Sequence, residues 1–254
     1  MTADDFGFSQ DTLDATIACL AAGVVRNASI MVTAPATDAA MDYALAHPEH
    51  CYGIHLVLCR IGPETTASNV SRIPDLVDAN GRLYMGRRAQ LRAALGLMPV
   101  DQVASELTAQ LSIAANHGVR IDYVDAHRHF HKYPTIAKAL EQVLPRFGIS
   151  RVRRVQNVYL ARPYTSPTYW LSRPWGDRLG DRWRTTDGFY MSTGPRDLDF
   201  LDLLRGSRSY RTLEVGAHPG TLEDWRIRET AGLYAFASAL RDAGLPTMAW
   251  SELS

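Results

Sequence analysis

Short apolar runs alternate with amphipathic segments along most of the chain. The apolar runs have the length of β-strands and occupy residues 28–32, 52–58, 119–127, 213–217 and 247–250, with a further short run near Val152. The segments between them repeat apolar residues at helical spacing, at residues 10–22, 36–46, 103–115, 135–143 and 231–241. Strands that alternate with helices predict a mostly parallel sheet covered by helices, as in an α/β barrel or a wound sheet.

Local signals agree with this division, except in one long segment. Ser9 is placed to cap the first helix and Gly23 to end it. Residues 154–200 are irregular and rich in Trp and Arg, and the tryptophans of this region are Trp170, Trp175 and Trp183. A chain of 254 residues with 46% hydrophobic content is long enough for one large core. We therefore expect one α/β domain over residues 1–254, with the irregular segment as an insertion.

Polar clusters follow the predicted strands, where parallel α/β folds place their chemistry. Asp4 and Asp5 are adjacent near the start, His55 lies inside an apolar strand, and His218 stands at a strand tip before a Pro-Gly turn. The densest cluster is residues 125–131, Asp-Ala-His-Arg-His-Phe-His, which holds three of the eight histidines. Imidazole and carboxylate groups are common ligands of transition metals. The clusters predict a metal site if the fold brings them together.

Each cluster also has an ordinary structural interpretation. Asp4 and Asp5 can cap a helix or form a turn, His55 can be a satisfied core residue, and the three-His run can be a solvated loop. The chemical alternative for the two acids is a division of labour, in which one carboxylate binds a cation and its neighbour accepts a proton from water held on that cation. His218 can bond loop backbone, or it can donate a proton to a leaving group, because the pKa of histidine lies near neutral pH.

Composition narrows the class of protein. Lys plus Arg and Asp plus Glu both total 27, so the formal net charge is zero and no nucleic-acid or anionic-membrane partner is indicated. No apolar run approaches the length of a membrane span and the amino terminus has no signal-peptide pattern, so we expect a cytoplasmic protein. Cys19, Cys51 and Cys59 form no CxxC pair and are expected to be free thiols.

The clusters occur in an order that resembles one protein family. The motifs are Ala-Asp-Asp-Phe-Gly at residues 3–7, Gly-Ile-His-Leu at 53–56, Asp-Ala-His-Arg-His-Phe-His at 125–131 and His-Pro-Gly at 218–220. Together with the connecting segments at 26–32 and 73–81, they resemble the YdjC (ChbG-like) family of carbohydrate deacetylases. The resemblance implies a deformed (β/α) barrel related to the polysaccharide deacetylases, a divalent cation, and hydrolysis of an N-acetyl group from an amino sugar.

The resemblance also implies roles for individual residues. Asp4 corresponds to the general base and Asp5 to a metal ligand, with His55 and His127 completing the ligand set. Zinc suits one carboxylate and two imidazoles best, and Mg, Mn, Co and Ni are alternatives. Asp4 would take a proton from water, and His218 is the candidate acid that protonates the leaving nitrogen, which gives a free amine and acetate.

Further residues are candidates for substrate contact or for orienting a ligand. Asp125 precedes His127 by two residues and can orient an imidazole from outside the ligand set. If the strand continues, His127 and His129 point to the same side, and we favour His127 as the ligand. His131 is expected past the strand, in a loop or against substrate.

The irregular insertion has two interpretations. It can pack on its own barrel or on a second subunit, or it can be a lid that selects a large substrate such as a nucleotide- or lipid-linked amino sugar. Residues 185–189 within it resemble a family segment near the site, so Asp187 is expected to face substrate.

Other classes of protein fit parts of the pattern. Barrel-type metal-dependent amidohydrolases and phosphoesterases also use a His-x-His pair, but their pair normally ends the first strand, whereas this pair lies mid-chain. A non-catalytic carbohydrate-binding protein would have no need of Asp4. The sequence specifies neither the sugar and its carrier nor a homodimer, although barrel helices often pair. Only Met1 and Thr2 precede the first motif, which predicts a very short first strand or a native chain that begins upstream.

Overall fold

The computed structural model describes residues 1–160, 182–192, 202–206 and 209–253. Within these ranges, six parallel strands form one sheet in the order β4-β3-β2-β1-β6-β5, which curls into a half-barrel with helices. The strands are β1 (Thr2–Phe6), β2 (Asn27–Ile30), β3 (Cys51–Leu56), β4 (Tyr123–Ala126), β5 (Gly188–Met191) and β6 (Leu213–Ala217). The mostly parallel α/β barrel predicted from the sequence is confirmed.

Seven α-helices lie in the described part of the chain. They are α1 (Gln10–Ala21), α2 (Thr37–Ala46), α3 (Gly86–Ala94), α4 (Val100–His117), α5 (Pro134–Val143), α6 (Asp202–Gly206) and α7 (Asp224–Asp242). Ser9 caps α1 as predicted, because its hydroxyl accepts a hydrogen bond from the backbone N–H of Thr12. Gly118 ends α4 in the left-handed conformation, with φ of 94°.

The sheet is the centre of the core. Every residue of β1 to β5 is buried, as expected for parallel strands that are covered on both faces. The largest apolar cluster joins strands β1–β4 to α1, α2, α4 and α5, whereas Tyr190 of β5 lies in a smaller cluster with Val215 of β6. All three cysteines are buried free thiols, as predicted. The strands therefore offer a rigid support for side chains at their ends.

Some elements differ from the prediction. The run near Val152 makes only isolated parallel bridges, from Val152 to Val124 of β4 and from Arg151 to Arg184. Residues 247–250 do not form a strand, because backbone N–H groups there bond side chains. Ala249 donates to Glu252 at 2.7 Å, and Trp250 donates to the side chain of Asn27 at 2.8 Å. The pattern also missed α3, and it missed β5 inside the predicted insertion.

The predicted insertion is described only in part. Trp170 and Trp175 lie outside the described residues, so the lid interpretation is untested for them. Trp183 is partly buried and packs against the main core. The strand β5 pairs with β6 in parallel. At least this part of the segment belongs to the sheet.

Candidate active site

The polar clusters of the sequence meet at the carboxyl ends of the parallel strands. β1 contributes Asp4 and Asp5, β3 contributes His55, and the end of β4 contributes Asp125 and His127. His55 and Asp125 lie side by side, because they are partners in the register of β3 and β4. The fold thus brings together residues that are far apart in sequence.

β1 supplies two successive aspartates to this region because its backbone is irregular there. In a regular strand, neighbouring side chains point to opposite faces. The register with β2 shifts between Ala3 and Phe6, and Asp5 has a left-handed backbone with φ of 59°. Such irregularities re-aim side chains, and aspartate tolerates a positive φ better than most residues. Both carboxylates are buried as a result.

Three ligand atoms converge on one point. Asp5 Oδ1 lies 3.5 Å from His55 Nε2 and 3.3 Å from His127 Nδ1, and the two ring nitrogens are 3.3 Å apart. Asp5 Oδ1 is buried and accepts no hydrogen bond from the described residues. One carboxylate oxygen and two imidazole nitrogens in this arrangement can bind a single divalent cation.

The surroundings of this group hold its members in place. Asp125 contacts His55 Nδ1 at 2.9 Å, which leaves Nε2 available as a ligand atom. Arg226 of α7 donates to the second oxygen of Asp5 at 2.8 Å. Burial raises the pKa of Asp5, but the close approach and charge of His127, together with the charges of His218 and His55, outweigh burial and hold that pKa well below its usual value. Asp5 is therefore an ionised ligand at neutral pH.

A buried arginine links three carboxylates next to the ligand group. The Arg153 guanidinium donates to both oxygens of Asp4, at 2.6 and 2.8 Å, and also contacts Asp125 and Glu214. Burial lowers the pKa of Arg153, but the three carboxylates raise it well above its usual value. A second group, made of Asp4, His55 and Asp125, also has its ligand atoms within 4.8 Å of one another. Because Arg153 occupies both Asp4 oxygens, the group around Asp5 is the better candidate for a metal.

His218 lies where β6 ends, as predicted, and has a carboxylate partner. Its Nδ1 is 3.1 Å from Glu229 of α7, and its side chain is 18% exposed. Burial lowers the pKa of His218, but the charge of Glu229 raises it, and the pKa is about 9. Ala3 of β1 and Ala217 of β6 are register partners, so His218 follows β6 at the level of Asp4 in β1. The charges of Asp5 and Asp4 also raise the pKa of His218. The imidazole is a cation at neutral pH and can donate a proton.

The three-His run does not continue β4. The strand ends at Ala126, and His127–Lys132 form a 3-10 turn in which Arg128 and His129 have left-handed backbones, with φ of 54° and 56°. The condition under which His127 and His129 would face the same side, a continued strand, is therefore not met. His127 joins the ligand group, whereas His129 packs against Phe189 of β5, with ring centroids 5.6 Å apart.

His131 follows the strand, as predicted, but it is buried rather than part of an open loop. Neither of its ring nitrogens finds a hydrogen-bond partner among the described residues. Burial lowers its pKa to about 3, so the ring is neutral. Of the described residues, neither His129 nor His131 belongs to a group of converging ligand atoms.

Asp187 lies away from this site. It directly precedes β5, and its carboxylate accepts hydrogen bonds from the backbone N–H and hydroxyl of Thr212, at 3.0 and 3.2 Å. Thr212 precedes β6, so both residues lie at the amino ends of their strands. The site is at the carboxyl ends, which argues against the substrate contact predicted for Asp187.

Sequence reasoning missed four charged residues that support the site. Arg153 gave no signal, because it stands among several arginines in an irregular segment. Arg226 and Glu229 are three residues apart on α7, where charged residues normally indicate a solvated face, yet both are buried. Glu64 follows β3 in a loop, and its carboxylate lies 3.9 Å from His127 Nε2. Of these residues, only Arg226 and Glu229 gave a signal, because their three-residue spacing on a helix places both side chains on the same face.

Fold and site together define an α/β half-barrel protein with a candidate metal centre at the carboxyl ends of its strands. The chain belongs to the YdjC family, since the family described as YdjC-like protein matches residues 1–245. The resemblance drawn from the motifs is confirmed. Among the described residues, no helix has both the length and the apolar character that a membrane crossing requires.

Curated relatives agree with this assignment, and a solved structure shares the fold. A carbohydrate deacetylase of Geobacillus stearothermophilus is 29% identical over 223 residues, which cover 88% of this chain and 79% of that protein. A chitooligosaccharide deacetylase of Yersinia enterocolitica is 28% identical over 236 residues, or 91% and 84% of the two chains. The crystal structure of a candidate cellobiose-phosphate cleavage protein from Enterococcus faecalis matches with a TM-score of 0.79 at 20% identity, over 100% of this chain and 97% of that chain. At that identity, the structural likeness shows a shared fold.

Proposed function

We propose that this protein is a metal-dependent carbohydrate N-deacetylase, which hydrolyses the N-acetyl group of an amino sugar to a free amine and acetate. Membership of the YdjC family and the names of the curated relatives support the activity. The observation that carries the metal dependence is the approach of Asp5, His55 and His127 to within 3.5 Å of one another. Asp4 beside them supplies the second carboxylate that such a hydrolysis needs.

The residues fit a divalent cation. Asp5 Oδ1 is buried without a hydrogen-bond partner, and two imidazole nitrogens face it. This donor set favours zinc and also accepts Mg, Mn, Co or Ni. When bound, the cation supplies Lewis acidity toward the amide carbonyl and makes a nearby water more acidic. Glu64, at 3.9 Å from His127 Nε2, is placed to orient that imidazole from the far side.

The chain's own residues account for the proton transfers. Water adds to the amide carbon, and Asp4 accepts the proton that this water loses. The C–N bond then breaks, and His218 donates a proton to the departing nitrogen, which leaves as the amine. Arg153 fixes both oxygens of Asp4, at 2.6 and 2.8 Å, which removes the freedom of the base to turn away. Glu229 keeps His218 in its protonated form, because it raises the pKa of that residue.

Acetate release from a panel of N-acetylated sugars tests the proposal. The protein is stripped of metal and assayed alone and with added Zn, Mg, Mn, Co or Ni, beside an Asp4→Asn variant. We expect release from at least one sugar that requires metal and is lost in Asp4→Asn. A folded, metal-loaded protein that releases no acetate from any sugar would contradict the proposal. Sugar binding without release would then favour a binding protein, and phosphate release from phosphorylated sugars would favour a phosphoesterase.

A further inference from the structure

Two apolar side chains are exposed beside the candidate acid. Leu222 and Trp225, in the loop after His218 and the first turn of α7, are 79% and 40% exposed, and Leu222 is the most exposed large apolar residue in the described ranges. The Trp225 ring meets the His218 ring edge to face, with centroids 5.5 Å apart. A large aromatic surface thus lies open to solvent within one ring width of the group that protonates the leaving nitrogen.

The loop that presents these side chains is held in one conformation. The Asp11 carboxylate of α1 accepts hydrogen bonds from the backbone N–H of Thr221 at 2.8 Å and of Leu222 at 3.4 Å, and it also accepts one from the Thr221 hydroxyl. Gly220 packs so closely that an added Cβ would lie 2.6 Å from Arg226 Cδ. The exposed surface is therefore built before any ligand arrives, which reduces the entropic cost of binding.

The polar edge of Trp225 is already satisfied. Its Nε1 donates to Glu223 at 3.1 Å, and the Arg226 guanidinium carbon lies 4.4 Å from the ring centroid. The part that remains exposed is apolar ring surface without an unmet hydrogen bond. Such a surface selects a flat ligand whose one face is apolar and whose rim is polar.

A pyranose ring has this character. Its axial C–H groups form an apolar face with partial positive charge, which complements the negative face of an aromatic ring, while its hydroxyls point outward to water or to polar partners. Aromatic residues that are exposed in a free protein are frequent anchors of binding energy. The position of Trp225 next to His218 places such a ring where the substrate's acetamide must react.

We propose that Trp225 stacks on the pyranose ring of the N-acetylated sugar and, with Leu222, determines the affinity of the site for carbohydrate over simple amides. This inference rests on the proposed function, because it assigns the sugar ring to the same site. Trp225 contributes binding energy and takes no part in proton transfer. Its loss should therefore raise KM for sugar and leave kcat nearly unchanged.

Kinetics of two Trp225 variants test the inference against a matched control. Tyr234→Ala is the control, since Tyr234 is an aromatic residue on the same helix with 39% exposure. We expect Trp225→Ala to raise KM for N-acetylglucosamine and its β-1,4-linked dimer by about 10- to 30-fold, with kcat changed less than about threefold. Trp225→Phe should recover most of the affinity, and Tyr234→Ala should match the unaltered protein. An unchanged KM in Trp225→Ala, or an equal rise in Tyr234→Ala, would overturn the inference.

A probe without a sugar ring separates stacking from damage to the site. Acetohydroxamate carries an acetyl group and a metal-binding oxygen pair but no pyranose, so its inhibition constant should not change in Trp225→Ala. A parallel loss of acetohydroxamate inhibition would overturn the inference.

Calorimetric titration of the same sugars into Asp4→Asn, alone and combined with Trp225→Ala, measures binding without turnover. A dissociation constant that rises by about 10- to 30-fold with the loss of Trp225 would support the inference even if no acetate were released by any form. An unchanged dissociation constant would overturn it, and so would an Asp4→Asn protein that binds none of these sugars.

Discussion

Replacement of Glu229 by Gln should move the alkaline limit of activity to lower pH. The pKa of His218 rises from its usual 6.5 to about 9 because the Glu229 charge outweighs the effect of burial. At 1.36 kcal/mol per pH unit, this shift corresponds to roughly 3 kcal/mol of stabilisation of the imidazolium. Gln keeps the size and a hydrogen-bond acceptor but removes the charge, so we expect the pKa of His218 to fall by about 1 to 3 units.

The direction of the pH dependence follows from the role of His218 as an acid. Activity requires the protonated imidazole, so kcat/KM should fall as the pH rises through the pKa of His218. This fall should begin at a lower pH in Glu229→Gln than in the unaltered protein. A cation bound at Asp5 would offset part of the negative charge of that aspartate and would lower the pKa of His218 in both proteins. The difference in pKa between the two proteins would remain. The assay is acetate release across the neutral and alkaline range, with Asp242→Asn at the exposed end of α7 as the control. An alkaline limb at the same pH in both proteins would refute the reasoning.

Three further predictions concern the ligands and the core. His127→Ala should lose bound metal, measured by elemental analysis after dialysis, whereas His129→Ala should retain it; equal retention would exclude His127 as a ligand. Arg153→Met leaves three buried carboxylates without a counter-charge and should lower the free energy of unfolding in urea by about 3–5 kcal/mol, and a loss below about 1 kcal/mol would contradict the pairing. Gly53→Ala places a Cβ 2.4 Å from the Tyr123 ring. It should lower the free energy of unfolding by about 1–3 kcal/mol, measured by thermal unfolding. A variant with the unchanged midpoint would show that the ring can move aside.

The alternation of apolar runs and amphipathic segments in the sequence predicted most of the fold. The apolar runs around His55 and before His127 are strands, and their order along the chain indicated a parallel sheet with polar residues at its carboxyl edge. β5 escaped prediction because it is only four residues long and follows an irregular segment. Residues 247–250 looked like a strand because they are mostly apolar, but backbone N–H groups there donate to side chains instead, one to the nearby Glu252 and one to Asn27, which is distant in sequence.

The identity of the ligand residues could be predicted from the sequence, whereas the backbone conformation and the buried partners around them could not. The resemblance to the YdjC family implied Asp5, His55 and His127 as one ligand set, and the structure brings their ligand atoms together. The left-handed backbone that turns His129 away from His127 leaves no trace in the sequence, since non-glycine residues adopt it only in a particular tertiary setting. The burial of Arg153 was equally hidden, because its three carboxylate partners come from three different strands.

The most direct test of the central claim compares metal content and acetate release in one variant. Asp4 is proposed to accept a proton and to bind no metal, whereas Asp5 is proposed to be a ligand. Asp4→Asn should therefore retain metal like the unaltered protein, as measured by elemental analysis, and should lose at least about 100-fold of its acetate release from the best N-acetylated sugar. Full acetate release by metal-loaded Asp4→Asn would contradict the account.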